Sequence, residues 1–457
     1  MQENTVEQMN AVLNRAVSKA GWRLVPVLIL MYMLSYLDRA NIGFAKQGFQ
    51  ASTGVTEVAF AFGASIFFIG YALFEFPSNL MLHKVGARRW MARIMISWGI
   101  VATCMLFVKG DTSFSIVRFL LGSAEAGFFP GAILFMTYWF PAKARGRMLG
   151  LFYFGSPLAM MFGGPISGAL LELDGLMGLH GWQWLFMIEG ISTIAIGFFV
   201  LWYLTDRPTD ARWLTQEERD VLTKVVNAED REKAAAGHVK LGKALTDPRL
   251  LQFCAIYFLI QIAGYGFAFY MPSQVSALLQ MKIGLTVGFV SAIPWLCAVI
   301  SAIFYPSLAV KTGYRRAFGM LALLGIAIGL SASGNLPPAW AIFALCFVAM
   351  GIICSQPIFW TFPSGYYAGY AAAGSLAVIN SIGNLGGFFA PNLKVWAEVA
   401  FGPNAGLYAV AAAPFLATIL FAFLKSTNPS ESMGETAYQR VPGSGGVQTA
   451  TPGEFTL

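Results

Sequence analysis

SFSIVRFLLGSAEAGFFPGAILFMTYWFPAKARGR, residues Ser113 to Arg147, places two ionisable side chains inside a run that is otherwise apolar. As a helix, its first two-thirds are long enough to span a hydrocarbon core of about 30 Å. Arg118 and Glu125 are close to two helical turns apart, so they share a face about 10 Å apart, with the small Gly122 between them. An ionisable group at membrane depth costs at least about 2.5–3.5 kcal/mol, so this pair must face protein or a water-filled cavity. Two uses are open: an ion pair that locks helices together, or a substrate or proton site. Pro141 and the cations Lys143, Arg145 and Arg147 close the run and mark its cytoplasmic end.

The rest of the chain is equally apolar. Its 457 residues are 57% hydrophobic and 12% charged, with a mean hydropathy of +0.62; a soluble domain carries about 25% charged residues. About twelve apolar segments of spanning length alternate with short polar loops, so an all-α integral membrane protein is expected. The net charge of +7 sits on loops rather than along one face, which argues against a nucleic-acid partner and for a positive-inside bias. Cys104, Cys254, Cys297, Cys346 and Cys354 lie in apolar segments without ligand spacing, so neither a metal site nor a disulfide is expected. His83, His180 and His238 stand outside the spans or at their edges, which excludes an intramembrane histidine relay. No Ser/His/Asp or His/Glu cluster occurs at depth, so neither an enzyme nor a cofactor is expected, and no signalling domain is appended to make a sensor. The polar N-terminus and full-length first apolar run are unlike a cleavable signal peptide.

Five regions are expected: a cytoplasmic N-terminal segment 1–21, a six-helix bundle 22–204, a cytoplasmic linker 205–247, a second six-helix bundle 248–424, and a disordered cytoplasmic tail 425–457. In the first span Tyr32, Tyr36 and Arg39 fall at i, i+4 and i+7 and form one stripe. Asp38 points about 100° away from Arg39 and should meet a neighbouring helix, with Arg118 the nearest partner by type. Alternatively both charges snorkel to the outer interface. Glu75, between Tyr71 and Asn79 in the second span, reads as a helix-end residue. The fifth span holds Gly155, Ser156, Gly163, Gly164, Pro165 and Gly168, suited to close helix approach, with a bend expected at Gly-Gly-Pro. In the sixth, Trp182 is an interfacial anchor and Glu189 is expected to hydrogen-bond a neighbouring helix. Thr215-Gln-Glu-Glu218 is a capping box that predicts a surface helix in the linker.

The second half repeats the first. Lys311-Thr-Gly-Tyr-Arg-Arg316 matches Lys84-Val-Gly-Ala-Arg-Arg89, each between the second and third spans of its half, which implies duplication and pseudo-two-fold symmetry. Lys84, Gly86, Arg88, Arg89, Lys311, Gly313, Arg315 and Arg316 form the expected gating loops, glycine supplying the turn. The second half carries neutral stripes where the first carries charge: Tyr257, Gln261 and Tyr265; Gln356 and Trp360; Asn380, Asn384, Gly387 and Pro391. Three stripes at corresponding depth opposite a charged half point to a shared cavity. The cation clusters and the linker share one side, against only Lys46, Lys109, Lys282 and Lys394 in the opposite loops, so both termini are expected in the cytoplasm.

YLDRANIGFAK (36–46), FPSNLMLHKVGARRW (76–90), RFLLGSAEAGFFPGAILFMTYWFP (118–141), WQWLFMIEG (182–190) and NSIGNLGGFFAP (380–391) resemble the major facilitator superfamily. Within it they resemble the anion:cation symporter family, nearest the bacterial sugar-acid carriers of rhamnonate and tartrate type. The resemblance implies a monomeric symporter in the bacterial inner membrane that moves a small organic anion with protons, drawing on the proton gradient and needing no cofactor. By position it implies Glu125 and Asp38 as proton-coupling residues. Arg39, Arg118, Tyr32, Tyr36, Gln261, Tyr265, Trp360, Asn380 and Asn384 are the expected substrate residues. His83 stands where the superfamily loop has Asp, and Asn79 where it has Gly, which departs from that loop's usual charge relay. An electroneutral anion exchanger, or a carrier of aromatic carboxylates, is the alternative.

Overall fold

The computed structural model describes residues 2–235, 247–366 and 369–424. The expected tail, 425–457, and linker residues 236–246 lie outside them. All regular elements among the described residues are helical.

Helix α1, Gln2–Thr53, runs without interruption through Pro26, so the segment expected to stand apart as 1–21 is the first part of the same helix. It continues past Phe44, which places Lys46 on a helix rather than in a loop. Next come α2 (Glu57–Val85), α3 (Ala87–Thr103), α4 (Asp111–Glu125), α5 (Phe128–Trp139), α6 (Ala142–Tyr153), α7 (Gly155–Leu171) and α8 (Gly181–Tyr203). After the linker helix α9 (Gln216–Ala235) follow α10 (Pro248–Leu279), α11 (Leu285–Lys311), α12 (Arg315–Ser333) and α13 (Pro338–Tyr366). The chain ends with α14 (Gly369–Asn384), α15 (Gly386–Phe401) and α16 (Ala405–Ala422).

Among the described residues, eleven spans are long and apolar enough to cross a membrane as they stand. The remaining crossing is divided into α14 and α15, each of 16 residues. The two meet at Leu385, where the bonding tightens to three-residue steps: Leu385 N donates to the Ile382 carbonyl at 3.2 Å and Phe388 N to the Leu385 carbonyl at 2.9 Å, while Pro391 lies inside α15. The fourth crossing also parts, at Gly127, whose φ of 86° is the left-handed conformation that glycine allows. Glu125 is therefore the last residue of α4. The fifth crossing turns at Phe154, and α7 runs on through Gly163-Gly164-Pro165, where a bend was expected. Those glycines serve approach instead: a Cβ on Gly164 would overlap the backbone of Gly288 on α11, and one on Gly168 that of Gly284, the residue just before α11.

The duplicated loops share one geometry. Gly86 and Gly313 both take positive φ, 95° and 76°, and Arg88-Arg89 and Arg315-Arg316 open the next helix in each half. The capping box forms as expected: Glu218 N donates to Thr215 Oγ1 at 3.2 Å, and Thr215 N to Glu218 Oε2 at 3.0 Å. The linker helix is tied to the first bundle by Lys19–Glu218 at 2.7 Å and by Glu229, which accepts from Ala142 N at 2.8 Å and pairs with Arg145 at 2.9 Å.

Contacts between the bundles gather in the half of the molecule away from this linker. Asn392 Nδ2 donates to Ser65 Oγ at 2.8 Å, Gln47 Nε2 to Ser276 Oγ at 3.3 Å, and Leu285 N to Glu172 Oε1 at 3.1 Å. Gly43 sits against the Phe269 backbone, leaving no room for a side chain. Toward the linker side the bundles stand apart, and the space between them is the site.

Candidate functional site

The α1 stripe opens onto a cavity of about 360 Å³ between the bundles. Tyr32, Tyr36 and Arg39 form one wall; Gln261 and Tyr265 of α10 and Trp360 of α13 form the other. A deeper recess is lined by Tyr71, Asn380 and Asn384 as well, where Gln261 Nε2 donates to Asn384 Oδ1 at 3.1 Å. From Arg39 the cavity extends past Tyr153 and Trp360 toward the linker side.

Arg39 organises the site. Its Nη2 lies 2.6 Å and its Nε 3.1 Å from Glu125 Oε1, while Nη1 donates to the Tyr265 hydroxyl at 3.1 Å and so reaches across to the second bundle. The rings of Tyr36, Phe67 and Tyr71 surround the guanidinium at 5.2–5.5 Å. Glu125 Oε1 also accepts the Ser35 hydroxyl at 2.7 Å, whereas Oε2 has no partner. The Glu125 side chain is fully enclosed, while that of Arg39 is 12% exposed. A planar guanidinium at a cavity wall, held by one carboxylate oxygen and one phenol, can be taken over by an incoming carboxylate.

Asp38 and Arg39 do different jobs, as their adjacency requires. Neither snorkels to an interface: Asp38 is 3% exposed and buried in the first bundle, on the side of α1 away from the cavity. Arg118 is the strongest cation acting on Asp38, though no hydrogen bond joins them. Two expectations need correction. Arg118 does not line the cavity; it is fully buried, its Nη2 donating to the Ala64 carbonyl at 3.4 Å and its head over the Phe67 ring. The helix face it shares with Glu125 is wide enough for the two heads to diverge, and Glu125 goes to Arg39. Glu189 makes no hydrogen bond to a neighbouring helix through its carboxylate, since both oxygens lack partners.

Glu75 is half-buried on α2 and outside the cavity lining. In the duplicated loops, Arg88 N donates to Asp206 at 2.8 Å and Arg316 Nη1 to the Leu424 carbonyl at 3.4 Å; the side chain of His83 is not among those described. Lys46 and Lys394, expected in loops, lie on α1 and α15 with their ammonium groups over the Tyr270 ring at 4.8 and 4.1 Å. They pair with Glu57 at 2.5 Å and Glu398 at 2.6 Å, respectively. Sequence reading also missed Ser35, although its four-residue offset from Arg39 places it beside the stripe, and Tyr153 and Trp295, which enter from α6 and α11. No group of metal-ligating side chains gathers among the described residues.

A sequence profile of the Major Facilitator Superfamily matches residues 28–391. The chain is 42% identical to the inner membrane transport protein RhmT of Escherichia coli, over 91% of this chain and 96% of that one. It is 43% identical to a putative tartrate transporter of Agrobacterium vitis, over 93% of this chain and 94% of the relative. Among solved structures it resembles a bacterial homologue of the human lysosomal transporter Spinster in an inward-facing, unoccupied conformation, with a TM-score of 0.72 at 15% identity, over 88% of this chain and 98% of the other. With two helical bundles around a central cavity and a superfamily profile spanning most of its length, the chain is a membrane transporter belonging to the major facilitator superfamily.

Proposed function

We propose that this transporter is a proton-coupled symporter that imports a hydroxylated carboxylate, a sugar acid of the aldonate or tartrate kind, across the bacterial inner membrane. The observation that carries this reading is the Arg39–Glu125 ion pair at the cavity wall, whose cation also binds Tyr265 of the opposite bundle. An anionic substrate entering the cavity takes Arg39 by charge-assisted hydrogen bonds and displaces Glu125. Glu125 then keeps only the Ser35 hydroxyl and acquires a like charge nearby in an enclosed site. Both changes favour its taking up a proton. Anion and proton bind cooperatively for that reason, which is the linkage a symporter needs. Gln261, Asn380 and Asn384 supply donors and acceptors for substrate hydroxyls, and the bundles rock about this midplane site. The linker side is the cytoplasm, both termini lie there, and the cavity is in its inward-facing state. RhmT and the tartrate transporters, similar over nearly the whole chain, support an organic anion as substrate.

The cavity's aromatic lining, including Tyr153, Trp295 and Trp360, favours a second reading, an aromatic carboxylate. Calorimetry of the purified protein with rhamnonate, tartrate and benzoate separates the two. Sugar-acid binding that benzoate does not compete with is expected, and benzoate binding alone would reverse the assignment.

A further inference from the structure

The space between the bundles has two parts that share a border including Arg39, Tyr153, Gln261, Tyr265 and Gln356. The recess, about 40 Å³, adds Tyr71, Asn380 and Asn384, so its polar groups crowd around the guanidinium. Most of the room lies on the other side of Arg39, toward the linker. There the walls are Pro157 and Met160 of α7, Trp295, Ala302 and Pro306 of α11, and Ile353 of α13. Beyond the shared border, no charged side chain lines this antechamber among the described residues. Its one hydroxyl there, on Ser156, is spent on the Tyr153 carbonyl at 3.2 Å. Trp295 is held against Phe267, ring centroids 5.4 Å apart, and so offers a fixed aromatic face. The backbone explains the shape. α7 and α11 run antiparallel and touch at Gly164–Gly288, where no side chain fits. Toward the linker side they splay, and the antechamber is the wedge between them.

A sugar acid gains nothing from this wedge, because its hydroxyls would find no partners there. Water in an apolar pocket is displaced favourably by an apolar group instead. We propose that the antechamber is a subsite for an apolar tail, and that the ligand it takes is a hydroxycarboxylate bearing an aromatic or alkyl substituent at the end away from its carboxylate. The carboxylate pairs with Arg39, the hydroxyls meet Gln261 and Asn384, and the tail lies between α7 and α11. The proposal rests on Arg39 as the anion anchor of the reading above, and gives the aromatic lining a use other than a second substrate. Benzoate does not fit it in this way: its ring, attached directly to the carboxylate, would lie beside Arg39 rather than in the wedge. Both bundles wall the wedge, so alternating access requires Pro157 and Met160 to approach Trp295 and Ile353 when this side shuts. A tail lodged between them holds the wedge open. Such a ligand binds from the linker side and is not carried.

Calorimetry of the purified full chain with rhamnonate and its 5-O-benzoyl ester tests the subsite. The ester should bind at least about ten-fold more tightly than rhamnonate; equal or weaker binding overturns the proposal. Ala302→Phe fills the wedge and Ile353→Asn makes it polar, so each should bring the ratio of the two affinities down toward one. If Ala302→Phe does not fold, Ile353→Asn decides; an unchanged ratio overturns the proposal. Arg39→Ala should lose both ligands, and ester binding that survives it would overturn the shared anchor. If neither rhamnonate nor tartrate binds the parent, the sugar-acid reading falls. Ester binding that is lost in Ile353→Asn would then still assign the antechamber, and no ester binding would overturn it too. In proteoliposomes the ester should stop rhamnonate counterflow without itself crossing; labelled ester crossing at the rate of rhamnonate would contradict the wedge.

Discussion

Arg39 and Glu125 meet at 2.6 Å through a single carboxylate oxygen, leaving Glu125 Oε2 without a partner. A pair fixed only for stability would be expected to use both oxygens, because a buried ion pair repays its desolvation only when its remaining hydrogen-bonding positions are satisfied. This one is half-satisfied, at a cavity wall, with its cation also bound to Tyr265 of the other bundle.

Arg39→Ala is expected to abolish binding of the anion, while Lys282→Ala, exposed before α11, should leave it unchanged. A hydrogen bond to a charged group contributes about 1.5–3 kcal/mol, so losing the guanidinium should weaken binding by at least ten-fold. Calorimetry on purified protein reads this directly, and equal affinity in Arg39→Ala and parent would remove Arg39 as the carboxylate anchor.

Gln261→Ala and Asn384→Ala each strand the other member of a 3.1 Å hydrogen bond at the recess. Both should weaken hydroxylated carboxylates more than simple ones, since a site built to pair a hydroxyl loses most when that pairing fails. Competition assays comparing tartrate with succinate decide it; equal losses for the two would count against hydroxyl recognition here.

Gly288→Val should hold the far side of the molecule open. A side chain there would drive into the Gly164 backbone, and overpacking at such a contact costs about 1–3 kcal/mol. Labelling of a cysteine placed at Ser276, 4% exposed beneath Gln47 in this state, should rise in Gly288→Val; labelling equal to that of the Ser276→Cys parent would contradict the seal.

The linker clamp should be sensitive to acid. Enclosure works against ionisation of Glu218, but the Lys19 ammonium and the Thr215 N–H outweigh it and hold the carboxyl below its ordinary range. A group lowered in the folded state stabilises above its ordinary pKa, about 4.3 for Glu, and loses that contribution as pH falls through the lowered value. Lys19 is half exposed, so at neutral pH its removal should cost no more than about 1 kcal/mol. Hydrogen exchange across α9 should be faster in Lys19→Ala at neutral pH, with the difference from parent vanishing in acid. An unchanged exchange rate would mean that the clamp contributes nothing.

Much of this site could be read from spacing alone. The period of 3.6 set Tyr32, Tyr36 and Arg39 on one face, and the 100° step separated Asp38 from Arg39; in the structure one faces the cavity and the other the bundle interior. The duplicated Lys-x-Gly-x-Arg-Arg loops were legible because glycine at positive φ is a local requirement. Pairing was less legible, because it depends on where separate helices come to rest. Arg118 and Glu125 share a helix face, yet α4 ends at Glu125, which frees that side chain to reach Arg39. Lys46 and Lys394 were misplaced because a charge near a span's end does not show whether the helix runs on past it; both α1 and α15 do.

Glu125→Gln in proteoliposomes tests proton coupling through this pair most directly. Glutamine mimics the protonated acid permanently, so the anion site should survive while the proton link is cut. Labelled rhamnonate or tartrate should still undergo counterflow in Glu125→Gln, with no accumulation when a pH gradient is imposed. Full pH-driven accumulation in that variant would contradict coupling at Glu125 and move it to another carboxylate.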